Sequence, residues 1–329
     1  MKRFSTLIVM AVALVVLFGN ACQDNSQQKS ILIFHAGSLS YPFMKIAGQF
    51  MTENPGIKVI TEAAGSVASA RKITELKRQA DIFASADYQI IDQLLIPEYT
   101  AWNIQFASNS IVIAYNDHSK YAEKISSANW LDILKDEQVN IGSSDPDADP
   151  CGYRSVICLL LAEKLYHENN LISKLLSGSR YYQRPKETDL IALLETKTID
   201  YLFIYKSVAI QHGMHYVELN DSINLSNPAL NNWYANTYID IRGSQSGTKI
   251  RLNGEAITYG LTLLADSKNK SDAWQFISWL LHPEKGGKIL KESGQQPITP
   301  ALINSTEGLP ADVMKYVIPI NNLYKDNTL

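Results

Sequence analysis

From Ile31 onward, short runs of β-branched and apolar residues alternate with longer segments whose apolar positions recur every three or four residues. The first pattern predicts buried strands and the second amphipathic helices, so the alternation predicts an α/β protein with mostly parallel sheets. Ile31–His35 is the first expected strand, followed by a helix over Leu39–Glu53 that stops at Asn54-Pro55-Gly56. Lys58–Glu62 and Asp81–Ser85 are further strands, with a helix over Val67–Arg78 between them. Ser108–Tyr115 is a longer apolar run, suited to the first crossing between domains. A second set follows: a short helix over Trp130–Leu134, a strand at Asn140–Ser143, a long helix over Pro150–His167, a helix over Leu190–Glu195 and a strand at Tyr201–Tyr205. Glu255–Leu264 reads as a strand re-entering the first domain, with helices over Ser271–Leu281 and Glu284–Glu292 after it. The expectation is two α/β lobes with a ligand cleft between them. Residues 30–112 and 241–329 form the first, discontinuous lobe, and residues 113–240 the second.

The amino end follows a different pattern. Lys2-Arg3 precedes an unbroken apolar run of 12 residues, Leu7–Phe18. That run is short for a membrane span and fits a cleaved export signal, residues 1–21. Gly19-Asn20-Ala21-Cys22 resembles a bacterial lipoprotein cleavage site, which would place a lipid on Cys22 and make residues 22–29 a polar tether. The alternative is a plain signal peptide with an incidental cysteine.

Composition narrows the function. The 329 residues are 46% hydrophobic and 19% charged, which sets aside disordered and fibrous classes. Formal charge is −3, and a chain cut before Cys22 loses Lys2 and Arg3 to stand at −5. No basic excess exists to displace counterions from phosphate, so nucleic acid is not an expected partner. Cys151 and Cys158 share one expected helix, about 10 Å apart along its axis, beyond the roughly 7 Å a disulfide can span.

Enzyme motifs are missing: no HExxH, GxSxG, P-loop or strand-borne GxGxxG occurs. His212 and His215 form an isolated HxxH, read as a loop after a helix. A different arrangement recurs, in which small residues end a strand, Ser or Asp follows, and a helix starts. Ala36-Gly37-Ser38, Ala64-Gly65-Ser66, Asp149-Pro150-Cys151-Gly152 and Glu187-Thr188-Asp189 all sit at such starts. The first N–H groups of a helix lack internal partners and carry the positive end of its dipole. Several such ends facing one cleft would bind an anion without Lys or Arg. Taken singly, Ser38, Ser66 and Asp149 are equally suited to capping a helix.

At these loops a resemblance becomes specific. His35-Ala36-Gly37-Ser38-Leu39-Ser40 resembles the first anion loop of periplasmic molybdate/tungstate-binding proteins. Gly65-Ser66-Val67-Ala68-Ser69, Ala84-Ser85-Ala86-Asp87-Tyr88, Asp149 to Ser155, Arg184 to Asp189, Tyr205 to Ala209 and Gln295-Gln296-Pro297 continue the match in family order, from about Ile31 to Ala301. It is strongest to the archaeal-type branch. The resemblance implies a type II periplasmic-binding-protein fold and an extracytoplasmic, lipid-anchored receptor. Such a receptor captures molybdate or tungstate and delivers it to an ABC permease, as a monomer, without enzymatic activity or cofactor. It also implies residue roles. Ser38 and Ser66 match serines giving hydroxyl and backbone donors, and Tyr205 a tyrosine whose hydroxyl points at the anion. Cys151 and Glu187 match backbone N–H donors whose side chains need not touch the ligand. Asp149 matches a carboxylate that approaches the metal centre itself. Gly37, Gly65 and Gly152 flank these positions. The branch is expected to carry a second carboxylate, a Glu, immediately before the tyrosine, where this chain has Ile204. Asp149 alone would then give a five-coordinate centre or serve only as a cap, with Glu218 a solvated strand end. Two rival readings stand beside this one: a receptor for sulfate or phosphate, and a secreted hydrolase using Ser38 with His35 as its base.

Overall fold

The computed structural model describes residues 29–243 and 247–322. The expected signal segment and Cys22 therefore lie outside the described residues. Strands β1 (Lys29–Ala36), β2 (Ile57–Ala64), β3 (Ile82–Ser85), β4 (Ile104–Ser108), β12 (Thr258–Leu263), β13 (Gln296–Ile303) and β14 (Val317–Pro319) build one sheet, in the order β14-β13-β4-β12-β3-β1-β2. A second sheet, ordered β7-β6-β8-β5-β9, contains β5 (Ile111–Tyr115), β6 (Ile141–Ser144), β7 (Tyr181–Arg184), β8 (Tyr201–Tyr205) and β9 (His215–Glu218). Among the described residues, strands β10 (Tyr238–Arg242) and β11 (Lys249–Asn253) pair only with each other, as an antiparallel hairpin. Among the described residues no helix is long and apolar enough to cross a membrane.

The two sheets are mixed rather than mostly parallel. Parallel pairing is confined to β1 with β2 and β3, β6 with β7 and β8, and β13 with β14. The antiparallel pairs arise where the chain changes lobes. β4 runs straight on through Asn109-Ser110 into β5, which pairs antiparallel with β8, and β12 returns antiparallel to both β3 and β4. Ile111 and Val112, expected with the first lobe, thus pair with Tyr205 and Ile204 in the second. The return lies between Asn253 and Thr258, after the hairpin, rather than at residue 241.

Local sequence accounts for the main elements. In helix Ser40–Glu53, Pro42 occupies the first turn, where its missing N–H costs nothing. Phe43, Ile46, Ala47 and Phe50 then recur on one buried face. Phe276 of helix Lys270–Leu281 packs edge-on to both Phe43 and Phe50, at ring distances of 6.4 and 5.2 Å. Helix Pro150–Tyr166 starts with Pro at its first turn and ends at His167, whose φ of 56° is left-handed. Every residue of β8 is buried, as befits a central strand covered on both faces.

Candidate functional site

Each anion-loop residue stands at the carboxyl end of a strand, where the chain turns into a helix. On the first lobe, β1 ends at Ala36 and a single turn, Gly37–Leu39, carries the buried Ser38. The Ser38 hydroxyl accepts a hydrogen bond from the Tyr259 hydroxyl at 3.0 Å, and its main-chain carbonyl accepts one from Gln295 Nε2 at 3.1 Å. Ser66 is the first residue of helix Ser66–Thr74, and its hydroxyl accepts the Ala86 N–H at 3.0 Å. Both hydroxyl oxygens are therefore engaged as acceptors while each proton can be donated elsewhere. Neither serine makes a capping bond.

On the second lobe, Asp149 holds the N-cap position of helix Pro150–Tyr166 but makes no cap bond. Its Oδ2 instead accepts the Glu187 N–H at 3.0 Å, and its Oδ1 is buried without a partner. This corrects two expectations. Asp149 does not cap its helix, and the Glu187 N–H expected to face the ligand is taken by Asp149. The Glu187 side chain, expected to stand aside, is fully buried with both carboxylate oxygens unpartnered. A Cβ added to Gly37 would lie 3.2 Å from Glu187 Oε2, so the carboxylate rests on the Ser38 loop of the other lobe. Burial pushes the Glu187 carboxyl well above the ordinary range, with the Asp149 charge adding to it. Burial raises Asp149 as well, against the hydrogen bond it accepts from the Glu187 N–H.

Cys151 is buried, and its thiol points at the Phe203 carbonyl, 3.7 Å away, so only its main chain is offered at the helix start. Cys151 and Cys158 are unbridged. The Tyr205 hydroxyl, at the end of β8, is buried without a partner, and its ring lies 5.9 Å from that of Tyr259. Burial raises the Tyr205 hydroxyl well above its ordinary value, against the pull of the Arg154 charge. Ile204, before Tyr205 in β8, is buried and apolar, so it offers no carboxylate here. Gly65 is required by contact: a Cβ there would stand 2.3 Å from the Ala148 carbonyl of the other lobe. At Gly152 a Cβ would meet the Ser144 carbonyl at 2.4 Å, so this glycine seats the helix on β6 rather than lining the site.

The contacts run from Ser38 to Tyr259 and Tyr205, from Gly37 to Glu187 and Asp149, and from Asp149 to Gly65 beside Ser66. Ser38, Tyr205, Glu187 and Asp149 are thus linked at one buried place between the lobes, with Ser66 next to Gly65 and Cys151 two residues after Asp149. Tyr259 went unread because it lies inside an apolar strand. Arg154 was present in a quoted motif without a role; it is 2% exposed and pairs with Asp87 of the other lobe at 2.8 Å. A surface cavity of about 690 Å³ lies elsewhere, against Trp274, Trp279 and His282 of the first lobe.

Other candidates separate from this site. Glu218 is exposed on β9 and bonds Lys206. His215 bonds Asp117 at 2.9 Å on the surface. His35 is buried, its titration lowered to about 4 chiefly by burial, and its Nδ1 is bonded to the carbonyl of Ala36 at 2.8 Å. The hydroxyl of Ser38 is partnered by Tyr259 rather than by this imidazole, so the base that a hydrolase would need is not in place.

Two lobes joined by short crossings, with a buried polar site between them, define a ligand-binding protein of the two-lobed type. The chain belongs to the bacterial extracellular solute-binding protein family, whose pattern it matches over residues 31–296. An uncharacterized solute-binding protein of Petrotoga mobilis is 45% identical over 304 residues, covering 92% of this chain and 94% of that one. The molybdate/tungstate-binding protein WtpA of Thermococcus kodakarensis is 38% identical over 330 residues, covering 89% and 92%. Among solved structures, the periplasmic molybdate-binding protein of Azotobacter vinelandii has a TM-score of 0.59 at 16% identity, covering 80% of this chain and 98% of its own. The sulfate-binding protein SubI of Mycobacterium tuberculosis also reaches 0.59, at 13% identity, covering 90% and 96%. These two likenesses are of fold.

Proposed function

We propose that this protein captures molybdate or tungstate outside the cytoplasm and hands it to an ABC permease, as a monomer tethered by a lipid on Cys22 and without catalysis or cofactor. The observation that carries the reading is one buried interlobe site holding the hydroxyls of Ser38, Ser66 and Tyr205 beside the unpartnered Oδ1 of Asp149 and both carboxyl oxygens of Glu187. The hydroxyls and the Cys151 N–H are donors for oxyanion oxygens, each charge-assisted bond contributing about 1.5–3 kcal/mol. Two acids facing the same oxyanion repel it at low dielectric when ionised, unless the central atom accepts their oxygens. Molybdenum(VI) and tungsten(VI) expand their coordination in this way, whereas sulfur and phosphorus in sulfate and phosphate do not. Glu187 thereby takes the place expected of a carboxylate at residue 204. The curated relative named for molybdate and tungstate supports the same ligand.

Titration of the purified protein with molybdate, tungstate, sulfate and phosphate, followed by tryptophan fluorescence, tests this. Molybdate and tungstate are expected to bind at least a hundredfold tighter, and X-ray absorption of the tungstate complex is expected to show more than four oxygen neighbours. Sulfate or phosphate binding as tightly as molybdate overturns the reading.

A further inference from the structure

The seam between the lobes is bonded outside the anion site as well. Gly65, Ala68 and Arg71 fall on one face at the start of helix Ser66–Thr74 and meet the loop 145–149 of the second lobe. The Ala68 N–H donates to the Ala148 carbonyl at 3.1 Å. As a first-turn amide it has no partner within its own helix, so this bond across the seam is what satisfies it. Arg71 Nη1 donates to the Asp147 carbonyl at 2.7 Å, and Nη2 donates to the Arg242 carbonyl on β10. Asp147 Oδ1 in turn accepts the Arg242 N–H at 2.7 Å, so the loop and the hairpin receive Arg71 as one unit. Arg71 is 7% exposed, and the acid it faces within its own lobe is Glu75, 3.6 Å away.

We propose that Arg71 is a closure latch, a positioning residue that touches no ligand but holds the Ser66 helix against the segment carrying Asp149. The proposal rests on the reading of this protein as a receptor whose lobes part and close. Its strongest bonds run from a cation to main-chain carbonyls of the opposite lobe, and parting the lobes breaks both at once. Such a latch acts after encounter, so it governs release rather than capture.

The variants Arg71→Gln and Arg71→Lys, measured by stopped-flow fluorescence with molybdate and by hydrogen exchange at the Ala68 amide without added anion, test it. In R71Q the dissociation rate is expected to rise on the order of tenfold, with the association rate unchanged. Ala68 exchange is expected to quicken even in the anion-free protein, and R71K to fall between R71Q and the natural chain. Wild-type values of both Ala68 exchange and dissociation rate in R71Q overturn the latch, as does an effect confined to association. Faster Ala68 exchange in a protein that binds none of the four oxyanions leaves the latch standing and removes the receptor reading instead.

Discussion

Burial raises both Glu187 and Asp149, and the Asp149 charge further opposes the ionisation of Glu187. If both oxygens of Glu187 serve the metal centre, Glu187→Gln weakens molybdate and tungstate binding more than sulfate binding. Calorimetry is expected to show the first falling by more than tenfold and the gap between the anions narrowing. A third acid lies away from the anion. Glu255 accepts hydrogen bonds from Tyr88 and Gln89, and its carboxyl is pushed up to about 7, first by burial and then by the charge of Asp87. A group whose folded value is raised binds its proton more tightly in the folded protein. Its stabilisation is therefore full below about pH 4.5 and is lost as pH rises through about 7. Melting temperature followed across that window is expected to fall less in Glu255→Gln than in the natural protein.

Elements with strong apolar runs were legible without coordinates. Tyr201–Tyr205 is a strand because five buried apolar or aromatic residues in succession suit the middle of a sheet, and Pro150 marks the helix start it was taken for. Tyr181–Arg184, Tyr238–Arg242 and Lys249–Asn253 escaped because they are partly or wholly exposed edge or hairpin strands with polar residues between the apolar ones. The serines and Cys151 stood out because strand–small residue–helix order is local, and Tyr205 through the family resemblance alone. Which atoms they offer was not, since the partner of the Glu187 N–H lies 38 residues away in the chain. The seating of helix Pro150–Tyr166 gives a test at this scale. Gly152→Ala forces a methyl against the Ser144 carbonyl, and an overpacked core commonly loses about 1–3 kcal/mol. Chemical denaturation is expected to show a loss of that size in the second lobe.

For the whole molecule, pattern reading supplied two lobes, the first discontinuous, but set the return crossing at residue 241, inside the hairpin, because strands Tyr238–Arg242 and Lys249–Asn253 pair with neither large sheet. That Ser38, Tyr205, Glu187 and Asp149 share one site depends on how the lobes meet, which no local spacing encodes. Gly65→Ala probes that meeting. With a carbonyl of the opposite lobe 2.3 Å from the new methyl, molybdate affinity is expected to drop more than tenfold. The melting temperature of the ligand-free protein is expected to stay within a few degrees of normal, because the three atoms nearest the methyl all belong to the opposite lobe.

The placement of β12 also bears on how the chain assembles. It lies between β3 and β4, and β4 has β12 and β13 as its only neighbours in the sheet. A polypeptide emerging amino end first therefore presents β4 some 150 residues before either neighbour exists. The second lobe, whose strands are contiguous in the chain, can mature during that delay. Completion of the molecule then waits for its last quarter, and a ribosome or translocase that stalls near residue 253 would leave an unfinished sheet with an open, sticky margin.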